Sequence, residues 1–396
     1  MGVFQNLGVE PIINASGTVT RLGGAPMHAS TLAAMREAAE NWVPIEQLQG
    51  AASNLISEVT GAEAGMVTSG AAAGLTLGAA AIMTGDDLGL MERLPQTDGS
   101  ANEFIMAREQ RSGYDHAVRA SGAKIVEVGF NEIVSGAGVR RTEIWEYEAA
   151  IGERTAGIFY VFTNDSVPPL EEVVACAKRH QLPVLVDAAG ELPPRSNLRW
   201  VVSTGADLVT FSGGKAIRGP QSTGILCGRQ KLVGAAALQM LDMDDHPELW
   251  QPPEELIQRP AASGLPRHGI GRGMKVSKEE IVGLLTALEM FVKGEYVSDL
   301  EHYRSYLQTI QEALAPTSTN ATIIESSDGE RWPILEVQLK DPQHDAFAIC
   351  QNLRQGKPPI YLGHGKLSCG ILVVNPVCLN TESANILGQR LLEEMS

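Results

Sequence analysis

The sequence predicts an α/β protein with two parts: a large, doubly wound, mostly parallel sheet domain and a smaller C-terminal α+β domain. Two observations carry this. Through the middle of the chain, continuous apolar runs of strand length alternate with helical stretches, the pattern of parallel strands covered on both faces. Around Gly269–Gly273 that alternation gives way to one long helix and then to a mixture of strands and helices. A chain of 396 residues has room for both parts.

Taken in order, "AGMVTSG" (Ala64–Gly70) reads as a strand ending in a Ser-Gly turn, and "AAAGLTLGAAAIMTG" as the helix that follows. "AGIFYVFT" (Ala156–Thr163) and "LPVLVDAAG" (Leu182–Gly190) are strands. Between them "PPLEEVVACAKRHQ" has prolines and acids first and Lys178, Arg179 and His180 last, the order a helix dipole favours. That is a βαβ unit. "ADLVTFSGG" and "STGILCG" give two further strands around Lys215. In "VSKEEIVGLLTALEMFVKG", Ser277 and Glu280 stand in capping-box register ahead of Ile281, Leu284, Leu285, Leu288 and Phe291 on one face. Beyond it "WPILEVQL" and "GILVVNP" read as strands, and "HDAFAICQNLRQ" and "TESANILGQRLLEEM" as helices. The Pro-rich piece His246–Pro266 reads as an exposed excursion or gate. The division is expected at 1–265 and 266–396.

Composition narrows the function. The net charge of −16, with no Lys/Arg cluster, argues against a nucleic-acid partner. The longest apolar stretch, Met66 to Met83, is rich in Gly, Ala, Ser and Thr and reads as a buried helix rather than a membrane span. The opening "MGVFQNLGVEPIINASG" lacks a basic start followed by an apolar run. Asn6 also stands where a myristoylation motif wants Ser or Thr. Five widely spaced cysteines (Cys176, Cys227, Cys350, Cys369, Cys378) without a CxxC pair suit a reducing cytoplasm, with no disulfide framework and no metal site expected.

The chemistry concentrates around "FSGGKAIRGPQSTG", Phe211–Gly224. It is not a Walker loop, because Val209 and Ala216 occupy positions that need Gly and Ser/Thr. "GIGRGM" and "GHGKLS" fail as dinucleotide fingerprints at Met274 and Ser368. "VTSGAAAGL" offers a helix N-terminus to a phosphate, with Ser69, Gly70 and Ala71 at the approach; the competing reading makes Ser69 the cap of a core helix. Asp187 ends "VLVD" at the carboxyl end of a parallel strand, where open α/β sheets bind ligands, although an isolated Asp there can simply cap a loop. Lys215 ends the next strand and is either a solvated turn residue or a nucleophilic amine, its glycines letting the backbone turn tightly. A phosphate-binding helix start, an Asp and a downstream Lys are together the parts of a pyridoxal 5′-phosphate site. The lysine holds the aldehyde as a Schiff base, and the Asp keeps the ring nitrogen protonated. Ser212 and Arg218 are candidate phosphate donors. Asn164 is a candidate for the ring hydroxyl or a turn residue.

With these residues in place the chain resembles fold type I pyridoxal-phosphate enzymes. More narrowly, it resembles the group of bacterial L-seryl-tRNA(Sec) selenium transferase and D-glucosaminate-6-phosphate ammonia-lyase. The matching pieces are "EPIINASGTVTRLGGAPM", "VTSGAAAGLTLGAAA", "YDHAVRASGAKIVEVG", "VLVDAAGELPP", "FSGGKAIRGPQSTGIL" and "GIGRGMKVSKEEIVGLLTALE". The resemblance implies Lys215 as Schiff-base lysine, Asp187 as pyridinium partner, and Ser69, Gly70 and Ala71 as phosphate cradle. It implies a homodimer or a multiple of dimers, with the arm 1–50 at the subunit interface and Arg21 or Arg272 reaching a neighbour's site. Departures are informative. Gln110, in "EQR" (Glu109–Arg111), replaces a ring-stacking histidine, with His116 another candidate for that position. The small domain offers His364 and Lys366 where many relatives place an arginine for the substrate carboxylate. The chain starts almost directly at "EPIINASG", without the tRNA-binding region of the selenium transferase.

The expected activity acts at Cα of a small amino acid or amino-sugar acid, by β-elimination and deamination to a 2-oxo acid. Racemisation, a selenium-transferase-like reaction without a tRNA domain, and a non-catalytic scaffold are the alternatives.

Overall fold

The computed structural model describes residues 2–130, 141–241, 244, 246, 248–258, 267–341 and 343–395. Its strands, in chain order, are β1 (Ile13–Ala15), β2 (Ala64–Thr68), β3 (Glu103–Ala107), β4 (Lys124–Val128), β5 (Thr155–Val161) and β6 (Val184–Asp187). They continue with β7 (Leu208–Ser212), β8 (Gly224–Gly228), β9 (Asn320–Ile324), β10 (Ile334–Gln338), β11 (Ile360–Leu362) and β12 (Ile371–Val374). Two compact units result, residues 27–289 and residues 1–26 with 290–396. The boundary expected at residues 265 and 266 lies outside the described residues.

The 27–289 unit is built on a seven-stranded sheet of order β2-β8-β7-β6-β5-β3-β4. β4, β3, β5, β6 and β7 run parallel, and β8 is antiparallel to both β7 and β2. Phe104, Ile105, Phe159, Leu185, Leu208 and Phe211 are completely buried, as parallel strands covered on both faces require. The stretch "LEEVVACAKR" forms the helix Leu170–Arg179, with Glu171 and Glu172 in its first turn and Lys178 and Arg179 in its last. Ser277 and Glu280 cap the helix Lys278–Lys293: Ser277 N–H donates to Glu280 Oε2 (3.1 Å) and Glu280 N–H to Ser277 Oγ (3.2 Å).

The Pro-rich excursion departs from expectation in its described part. Trp250, Leu256 and Ile257 are buried. Gln47 Nε2 donates to Gln251 O (2.9 Å) and Ser53 Oγ to Glu255 O (3.2 Å). Residues 248–258 are therefore a strap packed on the helix Ile45–Thr60, because three large apolar groups gain more by burial than by facing water. The remainder, at 247 and 259–266, lies outside the described residues.

In the other unit, β12-β10-β9 form an antiparallel sheet, and β1 pairs in parallel with β11, Asn14 level with Tyr361. Its core joins Ile13 and Ala15 of β1 to Leu335, Leu353, Ile360, Leu372 and Leu387. Among the described residues, no helix is long and apolar enough to cross a membrane, and no group of three His, Cys, Asp or Glu is placed to hold a metal ion.

Candidate active site

The carboxyl ends of β2, β3, β5, β6 and β7 share one edge of the sheet. There Val161 is level with Asp187, Asp187 with Thr210, Ser212 with Gly224, and Gly224 with Thr68. Ser69, Gln110, Asn164, Asp187 and Lys215 come to this edge from five separate crossovers, where ligands of open α/β sheets bind.

Lys215 sits in the hairpin between β7 and β8. Gly213 N–H donates to Thr223 O (2.9 Å), Gly219 N–H to Gly213 O (2.9 Å) and Arg218 N–H to Lys215 O (3.0 Å). The glycines here serve room rather than rotation. A Cβ on Gly213 would lie 2.2 Å from Thr223 Oγ1 and 2.6 Å from Leu284 Cδ1, and one on Gly214 would lie 2.5 Å from Gln221 Oε1. The left-handed residue of the turn is Arg218 (φ 61°), which is itself buried, a strained conformation for a non-glycine residue. Lys215 is half-buried, and its Nζ lies close to Gly190, 3.9 Å from where a Cβ would stand.

Asp187 is buried, and its Oδ1 accepts from Ala189 N–H (3.0 Å). Burial pushes its carboxyl above the ordinary value, and the Ala189 N–H and the Lys215 ammonium pull it only part of the way back.

The helix Ala71–Thr84 opens at Gly70 (φ 94°), with no capping side chain and no acid in its first turn. Its leading amides and positive dipole end are thereby suited to an anion, and a Cβ on Gly70 would meet nothing within 4 Å. Close packing of Gly74 on Thr210 and of Gly78 on Leu185 lays the helix across β7 and β6. Gly224 backs the cradle so closely that a Cβ would lie 2.5 Å from both Gly70 C and Ala71 N. Gly224→Ala is therefore expected to destabilise the fold by about 1–3 kcal/mol and to weaken cofactor retention more than tenfold (on the order of 1.4 kcal/mol). Thermal unfolding and cofactor release on dialysis measure the two effects. Sequence reasoning did not single out Gly224, although a glycine opening the strand after the lysine turn is its signal.

Other expected residues are placed as follows. Gly70, not Ser69, is the helix N-cap; Ser69 Oγ donates to Met274 O (2.9 Å) and Gly70 N–H to Thr68 O (2.9 Å). Ala71 and the amides after it carry the open end of the helix. Ser212 is half-buried, level with Gly224. Asn164 is exposed in the turn held by Thr163 and Ser166. Gln110 is buried: its Oε1 accepts from Val161 N–H (3.0 Å), sealing β3 against β5, and its Nε2 has no hydrogen-bond partner among the described residues. The flanking Glu109 accepts from Thr142 N–H (3.0 Å) and Oγ1 (2.6 Å). Burial opposes that carboxylate, but the Thr142 bonds outweigh it and hold the carboxyl below its ordinary range. Arg111 pairs with Asp115 and Glu127. His116 is exposed and, with Ser69, Thr76, Tyr114 and Met274, lines a cavity of about 510 Å³ beside the cradle. Arg272 is half-buried in a separate cavity of about 240 Å³. In the other unit His364 is exposed and Lys366 is paired with Glu336.

The donor set fits pyridoxal 5′-phosphate: an uncapped helix start for the phosphate, a buried carboxylate with one hydrogen bond for the ring nitrogen, and a lysine within electrostatic reach of it. Fold and site define a fold type I pyridoxal 5′-phosphate-dependent enzyme. Residues 114–242 match the model of the family described as L-seryl-tRNA selenium transferase. D-glucosaminate-6-phosphate ammonia lyase of Salmonella typhimurium is 30% identical over 385 residues, covering 94% of this chain and 92% of that protein. A 5′-C-glycyluridine monooxygenase-decarboxylase of a Streptomyces species is 32% identical over 403 residues, covering 98% and 91%. A solved structure of D-glucosaminate-6-phosphate ammonia-lyase superposes with a TM-score of 0.80 at 28% identity, covering 100% of this chain and 98% of that one. The chain belongs to this family of selenium transferase-like and D-glucosaminate-6-phosphate ammonia-lyase-like enzymes.

Proposed function

We propose that the protein is an ammonia-lyase acting on a small amino acid or amino-sugar acid with a β-hydroxyl group, giving a 2-oxo acid and ammonia. The observation that carries this reading is Asp187 and Lys215 meeting at one sheet edge, in a chain matched over nearly its whole length by an ammonia lyase. When bound, pyridoxal 5′-phosphate supplies an electron sink for negative charge at Cα. The amides opening the 71–84 helix would hold its phosphate, with Ser212 and Arg218 as further donors, and Asp187 would keep its ring nitrogen protonated. Lys215 would anchor the group through its amine; with substrate bound, its Nζ would take the Cα proton and pass it to the departing β-hydroxyl, which would leave as water, and the uptake of one water in hydrolysis would release ammonia and the 2-oxo acid.

A second reading is oxygen-dependent decarboxylation at Cα, supported by the 32% match to the monooxygenase-decarboxylase. A panel of hydroxy amino acids and amino-sugar acids, phosphorylated and not, separates the readings. Ammonia release with no oxygen uptake is the expected result. Oxygen uptake with carbon dioxide release would replace it with the second reading, and deuterium entering Cα without ammonia would indicate racemisation.

We also propose that the working form is a homodimer or a multiple of dimers. Phe4 (56% exposed) and Leu7 (72%) in one unit, and Trp42 (86%) in the other, are large apolar groups left in water by a single chain. Light scattering is expected to give at least twice the monomer mass.

A further inference from the structure

The unit of residues 1–26 and 290–396 contains five arginines. Three have acid partners: Arg304 with Glu325, Arg331 with Asp328, and Arg390 with Glu393 and Glu394. The other two, Arg21 and Arg354, are in no ion pair among the described residues, although acids outnumber bases 47 to 31 in this chain. Both converge on one side chain. Arg21, on the 3₁₀ turn Thr20–Leu22, lies 5.4 Å from the centre of the Tyr361 ring, and Arg354, in the last turn of the helix Ala346–Gln355, lies 5.0 Å from it.

Helix polarity accounts for one of these cations, since a base is favoured in a last turn. It does not account for a second, brought from the other end of the chain by the β1–β11 pairing that sets Asn14 beside Tyr361. The ring face lowers the cost of holding guanidinium groups there without acids. Arg354 Nε is buried without a hydrogen-bond partner among the described residues. Two guanidinium groups around one aromatic ring, neither paired with an acid among the described residues, bring together the donor type that recognises carboxylate and phosphate oxygens.

We propose that Arg21, Arg354 and Tyr361 form an oxyanion-binding site for a phosphate- or carboxylate-bearing small molecule. This stands independently of the lyase reading. The test uses holoenzyme saturated with pyridoxal 5′-phosphate, so that the cofactor's own cradle is filled, and titrates inorganic phosphate and malonate by calorimetry at constant ionic strength. Saturable binding is expected, weakened about tenfold or more in Arg21→Gln and in Arg354→Gln and lost in the double variant, with Arg354→Lys intermediate because it keeps the charge but not the fork. Arg21 is exposed, so Arg21→Gln carries the test even if Arg354→Gln fails to fold. No binding of either anion at millimolar concentration, or equal binding by wild type and the Arg21→Gln variant, would overturn the proposal. The source of the oxyanion is read with the best substrate of the panel. Phosphate that competes with substrate in wild type but not in Arg21→Gln marks the substrate's own anion, and phosphate that binds without competing marks a separate ligand.

Discussion

Lys215→Ala is expected to lower turnover by at least about 10⁴-fold, the upper end of what acid–base catalysis alone contributes, because in the proposed reaction the same amine anchors the cofactor and moves the Cα proton. The loss should fall on kcat at saturating substrate and cofactor. The fold should survive, since Lys215 is only half-buried, whereas the neighbouring Gly213 and Gly214 leave no space. Unchanged thermal unfolding of the cofactor-free variant, together with absent turnover, is the expected pair of results. Lys215→Arg keeps the charge beside Asp187 but supplies neither a free amine nor a titratable base, so it should be as inactive as the alanine variant. Activity within tenfold of wild type in either variant would remove Lys215 from the chemistry.

Asp187→Asn is expected to cost about 10²–10³-fold in kcat, comparable to losing one well-placed electrostatic group, because an amide cannot hold a proton on the ring nitrogen. Its effect on stability has the opposite sign. The Asp187 carboxyl is raised in the folded state by burial, so the folded chain binds more protons than the unfolded one between the ordinary Asp value and the raised value. Stability of the cofactor-free protein therefore falls as pH rises through that window and stays lower above it. Replacing the carboxylate with a neutral amide removes the penalty, so cofactor-free Asp187→Asn should unfold at higher temperature than wild type at neutral pH. The gain should vanish in acid, below the ordinary Asp value, where both states of the wild-type residue are protonated. Cofactor should reverse the order at neutral pH by binding the wild type more tightly.

The sequence showed most where burial is simplest. β5, β6, β7 and β8 are continuous apolar runs and were legible as strands, as were the βαβ helix and the Ser277–Glu280 cap. β4 and β9 were not, because they are partly exposed and polar residues interrupt them. The parallel pairing of β1 with β11 left no local signal, since it joins segments from opposite ends of the chain. At the site, the expected residue types come to one edge of the sheet, but local contacts depend on the fold and not on the sequence alone. Gly213 and Gly214 looked like rotational freedom and proved to be clearance for Thr223, Leu284 and Gln221, while the left-handed position fell to Arg218. Ser69 looked like a phosphate ligand or a cap, yet its proton goes to Met274, which lies far along the chain. The Tyr361 cluster was invisible for the same reason, because Arg21 and Arg354 meet only through the fold.

In the proposed function Lys215 is the residue joined to the cofactor. Protein loaded with pyridoxal 5′-phosphate, reduced with borohydride, digested and mapped by mass spectrometry tests it most directly. A single phosphopyridoxyl group is expected, carried by the peptide containing Lys215 and absent from Lys215→Ala. A stable group on another lysine, or none on a protein that has bound the cofactor, would contradict it.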